Sequence, residues 1–220
     1  MNVKRVHRIW KLEGLQVSRK SYKRNRLGSS ENGITRYKPL YKDHVWSYDF
    51  IMDQTSDGGR IKILVLIDEY TKESLCIYPA RSITSSMVID ELAILFTAGR
   101  APENIRSDNG PEFIAEALKC WLELMGTDTK YIEPGSPWEN GYIESFNSRF
   151  RDELLNIEVF NSILEARVLM EDWRREYNED RPHSSLGYQT PAEFAASCVP
   201  SASATLRLQE RSHKQLAIVT

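Results

Sequence analysis

The feature that most constrains the fold is a change of apolar period along residues 45–132. Val45 to Met52 alternates apolar and polar residues, Arg60 to Ile67 is rich in Ile, Leu and Val, and Ser74 to Ala80 is short and apolar. Turn signals at Asp57-Gly58-Gly59 and Thr71-Lys72 separate them, so the three runs predict antiparallel strands. The period then turns helical at Met87 to Phe96, through Val88, Leu92, Leu95 and Phe96. A short strand at Asn104 to Ser107 follows, then a helix from Pro111 to Met125 with proline in its first turn, then a last short strand at Thr129 to Ile132. A meander that passes into strand–helix alternation predicts an α/β fold, a mixed five-stranded sheet flanked by helices.

After the loop Glu133 to Glu139, a helix is expected from near Asn140 and another from Ile163 to Tyr177, opened by a capping box between Ser162 and Glu165. A second box, Thr190-Pro191-Ala192-Glu193, starts a short terminal helix. At the other end, a helix with Val6, Ile9 and Trp10 on one side stops at Gly14, and Ser18 caps a second basic stretch, Arg19 to Arg26. The expected organisation is a helical, partial helix-turn-helix-like basic segment at 1–26, a Gly/Ser-rich linker at 27–43, one domain at 44–196 and a flexible tail at 197–220.

Charge sharpens that division. Residues 1–44 hold 12 Lys and Arg against three acids, +9, and the other 17 Lys and Arg face 28 acids, −11, which together give the net −2. A basic arm on an acidic body suits a polyanionic partner, since Lys and Arg displace counterions from nucleic-acid phosphates; the alternative is a solvated tail. The longest apolar run, Ile63 to Ile67, is far short of the roughly 20 residues that span a bilayer. No apolar secretory segment opens the chain, so a cytoplasmic protein without a membrane partner is expected. Cys76, Cys120 and Cys198 form no CxxC pair and the four histidines are widely spaced, which predicts reduced thiols and no structural zinc.

Three acids stand where chemistry is expected. Asp49 lies mid-strand, and strand alternation puts its neighbours Tyr48 and Phe50 on the opposite face. Asp108 follows directly on the strand Asn104 to Ser107, at the end where open α/β sheets present ligand-binding groups. On the helix from Asn140, Ile143, Phe146, Phe150 and Leu154 share a buried face, and Asn140, Glu144, Asn147 and Arg151 form the adjoining stripe, which sets Glu144 at the border of the core. Carboxylates on a sheet and a nearby helix suit two hard Mg²⁺ or Mn²⁺ ions, which activate an attacking oxygen and neutralise a leaving one at a phosphodiester. By spacing alone, Glu144 as a plain surface residue remains open.

The wording around these acids is specific. Trp46-Ser47-Tyr48-Asp49-Phe50, Ser107-Asp108-Asn109-Gly110-Pro111-Glu112-Phe113 and Ser136-Pro137-Trp138-Glu139-Asn140-Gly141-Tyr142-Ile143-Glu144-Ser145-Phe146-Asn147 resemble the catalytic core of the integrase-like DDE transposases of bacterial insertion sequences. Thirty-five residues lie between Asp108 and Glu144, the interval of that family's motif, and the likeness continues through Tyr177-Asn178-Glu179-Asp180-Arg181-Pro182-His183-Ser184-Ser185-Leu186-Gly187-Tyr188. The resemblance implies an RNase H-like fold and a transposase. It implies Asp49, Asp108 and Glu144 as catalytic metal ligands, with two Mg²⁺ or Mn²⁺ ions, in DNA strand cleavage and 3′-hydroxyl strand transfer. Asp53, Asp68, Glu112 and Glu139 do not match the family's acids.

The implied partners are double-stranded DNA, as element ends and target, further copies of the chain on that DNA, and an upstream reading-frame product, because the likeness starts late in the family's helical leader. Expected DNA contacts are Arg8, Arg19, Lys20, Lys23, Arg24 and Arg26 in the arm and Asn109, Trp138, Asn140, Arg151, Arg181 and His183 in the domain. For Trp138 the choice is stacking on a base or packing at the helix start; for Arg181 and His183 it is touching DNA or capping the preceding helix. The competing functions are a truncated, non-catalytic DNA-binding remnant that inhibits the full-length protein, and a ribonuclease H, which would lack the Ser136 to Asn147 wording.

Overall fold

A computed structural model describes residues 3–12, 38–107, 116–131 and 141–198. The chain divides into two compact units, Met1–Arg36 and Tyr37–Thr220. In the first, the described residues form one helix, α1 (Val3–Leu12), on which Val6 and Ile9 are exposed. The second basic stretch, the linker up to residue 37 and the tail beyond Cys198 lie outside the described residues.

The second unit is built on strands β1 (Val45–Gln54), β2 (Arg60–Asp68), β3 (Ser74–Ala80), β4 (Asn104–Ser107) and β5 (Asp128–Tyr131), in the sheet order β3-β2-β1-β4-β5. β1, β2 and β3 are antiparallel neighbours, whereas β4 runs parallel to β1 and β5 parallel to β4. The sheet is therefore mixed and five-stranded, as the period change predicts. The β1–β2 turn uses Gly58 at φ +79, a conformation open to glycine at little cost. A side chain on the next glycine, Gly59, would run into the Arg81 guanidinium.

Alternation sorts the sheet into two faces. Trp46, Tyr48, Leu64 and Leu66 pack on α2 (Ser85–Thr97) and α3 (Glu116–Leu124) through Val88, Leu92, Phe96, Leu118 and Leu122. Ile51, Ile61, Ile63 and Val65 face α4 (Gly141–Phe150) and α5 (Ile163–Glu179), which contribute Ile143, Phe146, Phe150, Ala166, Met170, Trp173 and Tyr177. Both sets of helical positions recur at three- and four-residue spacing, one stripe per helix. Each large apolar side chain buried this way contributes about 1.5–3 kcal/mol, so burial on both faces holds β1 at the centre.

Three details depart from the sequence expectation. Residues 38–43, expected as the end of a linker, are tied to the body: Leu40 N–H donates to His44 Nδ1 and Asp43 pairs with Arg100 at 2.7 Å. After Phe150 the helix widens into a π turn, Arg151–Leu155, in which Asn156 N–H donates to the Arg151 carbonyl at 2.9 Å. The extra residue in that turn lets Leu154 and Leu155 both face the core. At the start of α5, Ser162 accepts from Glu165 N–H as expected, but Glu165 accepts from Asn161 N–H, one residue before the capping residue. Among the described residues only α6 (Pro191–Ser197) has a complete capping box, Thr190 with Glu193. Among the described residues the three cysteines are free, and no helix is long and apolar enough to cross a membrane.

Candidate active site

Asp49 sits mid-β1 opposite Val65 of β2. Tyr48 and Phe50 pack on the α2/α3 side, so Asp49 shares the other face with Ser47 and Ile51. On its far side the β1–β4 ladder closes at Ser47↔Arg106, and the described part of β4 ends at Ser107. Asp49 is half-buried; Oδ1 accepts from Phe50 N–H at 2.8 Å and Oδ2 accepts from Asn147 Nδ2 at 2.7 Å.

That second bond joins α4 to the middle of the sheet. Asn147 lies one turn beyond Glu144 on the same side of the helix, the spacing at which helical side chains are neighbours. Glu144 itself is exposed, farther from the core than the stripe predicts, because Ile143 and Phe146 occupy the buried face. It stands in the first turn of α4, where the helix dipole favours a negative charge. Asp108 lies outside the described residues, directly after Ser107.

The donor set is all oxygen, the chemistry that hard divalent cations take. A carboxylate oxygen carries two lone pairs, so the hydrogen bond from Asn147 does not use up Asp49 Oδ2. Asn147 Oδ1 is buried beside it without a partner among the described residues. Among the described residues no cluster of three or more His, Cys, Asp or Glu side chains could hold a metal ion; the Asp49 carboxylate and the orphaned Asn147 oxygen are donors of the kind that a hard cation takes.

A second polar cluster shares this face, and sequence reasoning missed it. Glu69 and Ser47 are fully buried, and Ser47 Oγ donates to the Glu69 carboxylate. Arg106 Nη1, also buried, donates to both Glu69 oxygens at 2.6 and 2.9 Å. Burial pushes the Glu69 carboxyl above its ordinary pKa, and the Arg106 charge opposes this. The available signal was an arginine inside a short strand and an acid directly after the most apolar one.

The expected DNA contacts divide. Arg8 on α1 and Arg151 after α4 are exposed. His183 is corrected: it is buried with its ring edge-on to Tyr177, 5.0 Å between centroids, so it neither reaches a surface nor caps α5. Burial, then Arg149 and Arg181, pull its pKa down to about 4. Arg181 pairs with Glu153, one of the residues of the π turn. Arg19, Lys20, Lys23, Arg24, Arg26, Asn109, Trp138 and Asn140 lie outside the described residues. Of the acids set aside, Asp68 is fully buried and pushed up to about 7 by burial and by Asp43, against Arg100.

A mixed five-stranded sheet in the order 3-2-1-4-5, helices on both faces and a polar cluster at the end of the central parallel pair define the RNase H-like class that includes retroviral integrase cores. The HTLV-2 integrase catalytic core, in a structure with magnesium, aligns with a TM-score of 0.58 at 15% identity, over 72% of this chain and 99% of that one. The BIV integrase core aligns at 0.53 and 20% identity, over 70% of this chain and 94% of its own. Residues 41–137 and 125–191 each match the family described as integrase core domain. The IS407 insertion-element 31.7 kDa protein of Burkholderia multivorans is 40% identical over 95% of this chain and 74% of its own length. The IS476 39.2 kDa protein of Xanthomonas euvesicatoria is 38% identical over 89% of this chain and 56% of its own. The chain belongs to the integrase core domain family, among the integrase-like transposases of bacterial insertion sequences.

Proposed function

We propose that this chain carries out metal-dependent DNA strand cleavage and 3′-hydroxyl strand transfer during transposition, with Asp49, Asp108 and Glu144 as the three carboxylates. The observation that carries the reading is the hydrogen bond from Asn147 to Asp49, which brings the helix bearing Glu144 against the centre of β1. The strand register supports the third acid. Ser47 pairs with Arg106 in the parallel ladder, and two residues farther along each chain are Asp49 and Asp108.

Asp49, Asp108 and Glu144 would hold divalent cations such as Mg²⁺ or Mn²⁺, two per site, which when bound would supply Lewis acidity to an attacking hydroxyl and a leaving oxygen. The protein's own part is orientation. Asn147 holds one oxygen of Asp49 with a donated N–H, and the own-chain N–H of Phe50 holds the other. Arg151, exposed one turn beyond Asn147, and the +9 arm meet the phosphates of element ends and target. Several copies of the chain act together on that DNA, since cleavage and joining engage two ends and a target.

The test is a labelled duplex bearing the element's ends, incubated with Mg²⁺ or Mn²⁺. The intact chain cuts and joins it; Asp49→Asn, Asp108→Asn and Glu144→Gln each lose both steps while duplex binding by anisotropy is kept. Full activity in one variant removes that residue from the site. Binding without cleavage by the intact chain removes the catalytic reading.

A further inference from the structure

Five hydrogen bonds converge on one short turn. Glu69, directly after β2, receives Ser47 Oγ of β1 and Arg106 Nη1 of β4 on its carboxylate. Its backbone N–H donates to the Val45 carbonyl at 3.0 Å, fixing the turn to the start of β1. Its own carbonyl accepts from Lys72 Nζ, and that ammonium lies 3.5 Å from the centroid of the Tyr142 ring on α4. Ser47, Arg106 and Tyr142 each stand two positions before one of the three acids, Asp49, Asp108 and Glu144. In a strand, positions two apart share a face about 7 Å from each other, so holding Ser47 holds the frame of Asp49.

We infer that the Glu69–Lys72 turn is a positioning platform for the metal site, tying β1, β4 and α4 to one buried carboxylate and one lysine. The inference rests on the three-carboxylate reading above. Stability alone is a poor reason for the arrangement, because a buried ion pair is often no more stabilising than apolar residues of the same volume. What it supplies is geometry: two oxygens and one carbonyl set the spacing of three separate elements. None of Ser47, Glu69, Lys72 or Arg106 is a metal ligand in this reading; they act through the backbone of the elements that carry the acids.

Manganese binding by the full chain, followed by electron paramagnetic resonance without DNA, reads this out apart from activity. Glu69→Gln keeps the shape of the side chain and removes the charge, and its manganese affinity should fall about tenfold, the usual range for residues that orient metal ligands. Circular dichroism shows whether each variant is folded at the assay temperature. Should Glu69→Gln not fold, Lys72→Met strands no buried charge and should still weaken manganese binding severalfold, while Lys72→Arg, which keeps a cation over Tyr142, restores it. A purely structural role would lower the melting temperature and leave the affinity of the folded chain unchanged. Asp49→Asn separates the two readings. If it abolishes binding while folded Glu69→Gln and Lys72→Met bind like the intact chain, the platform is wrong and the carboxylate site stands. If Asp49→Asn binds manganese normally, the carboxylate site is wrong and the platform falls with it.

Discussion

Replacing His183 by phenylalanine gives the chain a measurably different response to acid. The His183 ring is 5% exposed, lies edge-on to Tyr177, and its Nε2 is without a partner among the described residues. Burial comes first, then Arg149, Arg181 and Lys72, in holding its pKa down at about 4 against an ordinary 6.5, with Glu153 opposing. At about 1.4 kcal/mol per unit, that difference links folding to pH by up to roughly 3 kcal/mol. The folded chain favours neutral histidine, so this contribution is fully present above pH 6.5 and is lost as pH falls from about 6.5 to about 4. Phenylalanine keeps the ring and takes no proton. Asp68 acts in the opposite sense: its pKa is raised to about 7, so its contribution is present below about 4 and lost as pH rises through 7. Both chains keep Asp68, so the difference between them isolates His183. Urea unfolding at pH 7.5 and pH 4 should show the stability difference moving in favour of His183→Phe by roughly 2–3 kcal/mol, whatever constant packing cost the larger ring adds. Parallel pH profiles would refute the buried, neutral histidine.

Three other outcomes are expected. Glu139→Gln should be much milder in strand cleavage than Glu144→Gln, because Glu144 shares the helix side of the Asn147 that holds Asp49; equal losses would defeat that reasoning. Removing residues 1–26 deletes Lys4, Arg5, Arg8, Lys11, Arg19, Lys20, Lys23, Arg24 and Arg26, and should weaken duplex binding at any sequence and flatten its salt dependence by about 0.9 log units per lost phosphate contact. Anisotropy at several salt concentrations measures that slope, and an unchanged slope means that the arm is merely solvated. Arg106→Met strands the fully buried Glu69 and should cost about 3–5 kcal/mol in urea unfolding, much of it recovered by adding Glu69→Leu.

The strands and helices of the body were legible because their signal is local. Val45 to Met52 alternates, Met87 to Phe96 repeats at helical spacing, and each element lies within a few residues of its expected range. The same alternation separated Asp49 from Tyr48 and Phe50, and the helix phase grouped Asn147 with Glu144. Residue wording, carried by resemblance, points to the family independently of any contact in the fold.

Tertiary structure decided the partners. A period says which face a residue occupies but not what meets it there, so no local pattern marks the bond from Asn147 to Asp49 across 98 positions or from Arg106 to Glu69 across 37. The inward turn of His183 likewise depends on Tyr177 and on the charges of Arg149 and Arg181 around it. Glu69 reads in sequence as one acid among 31, and only complete burial between β1 and β4, where an unpaired charge is costly, makes Arg106 and Ser47 its necessary partners.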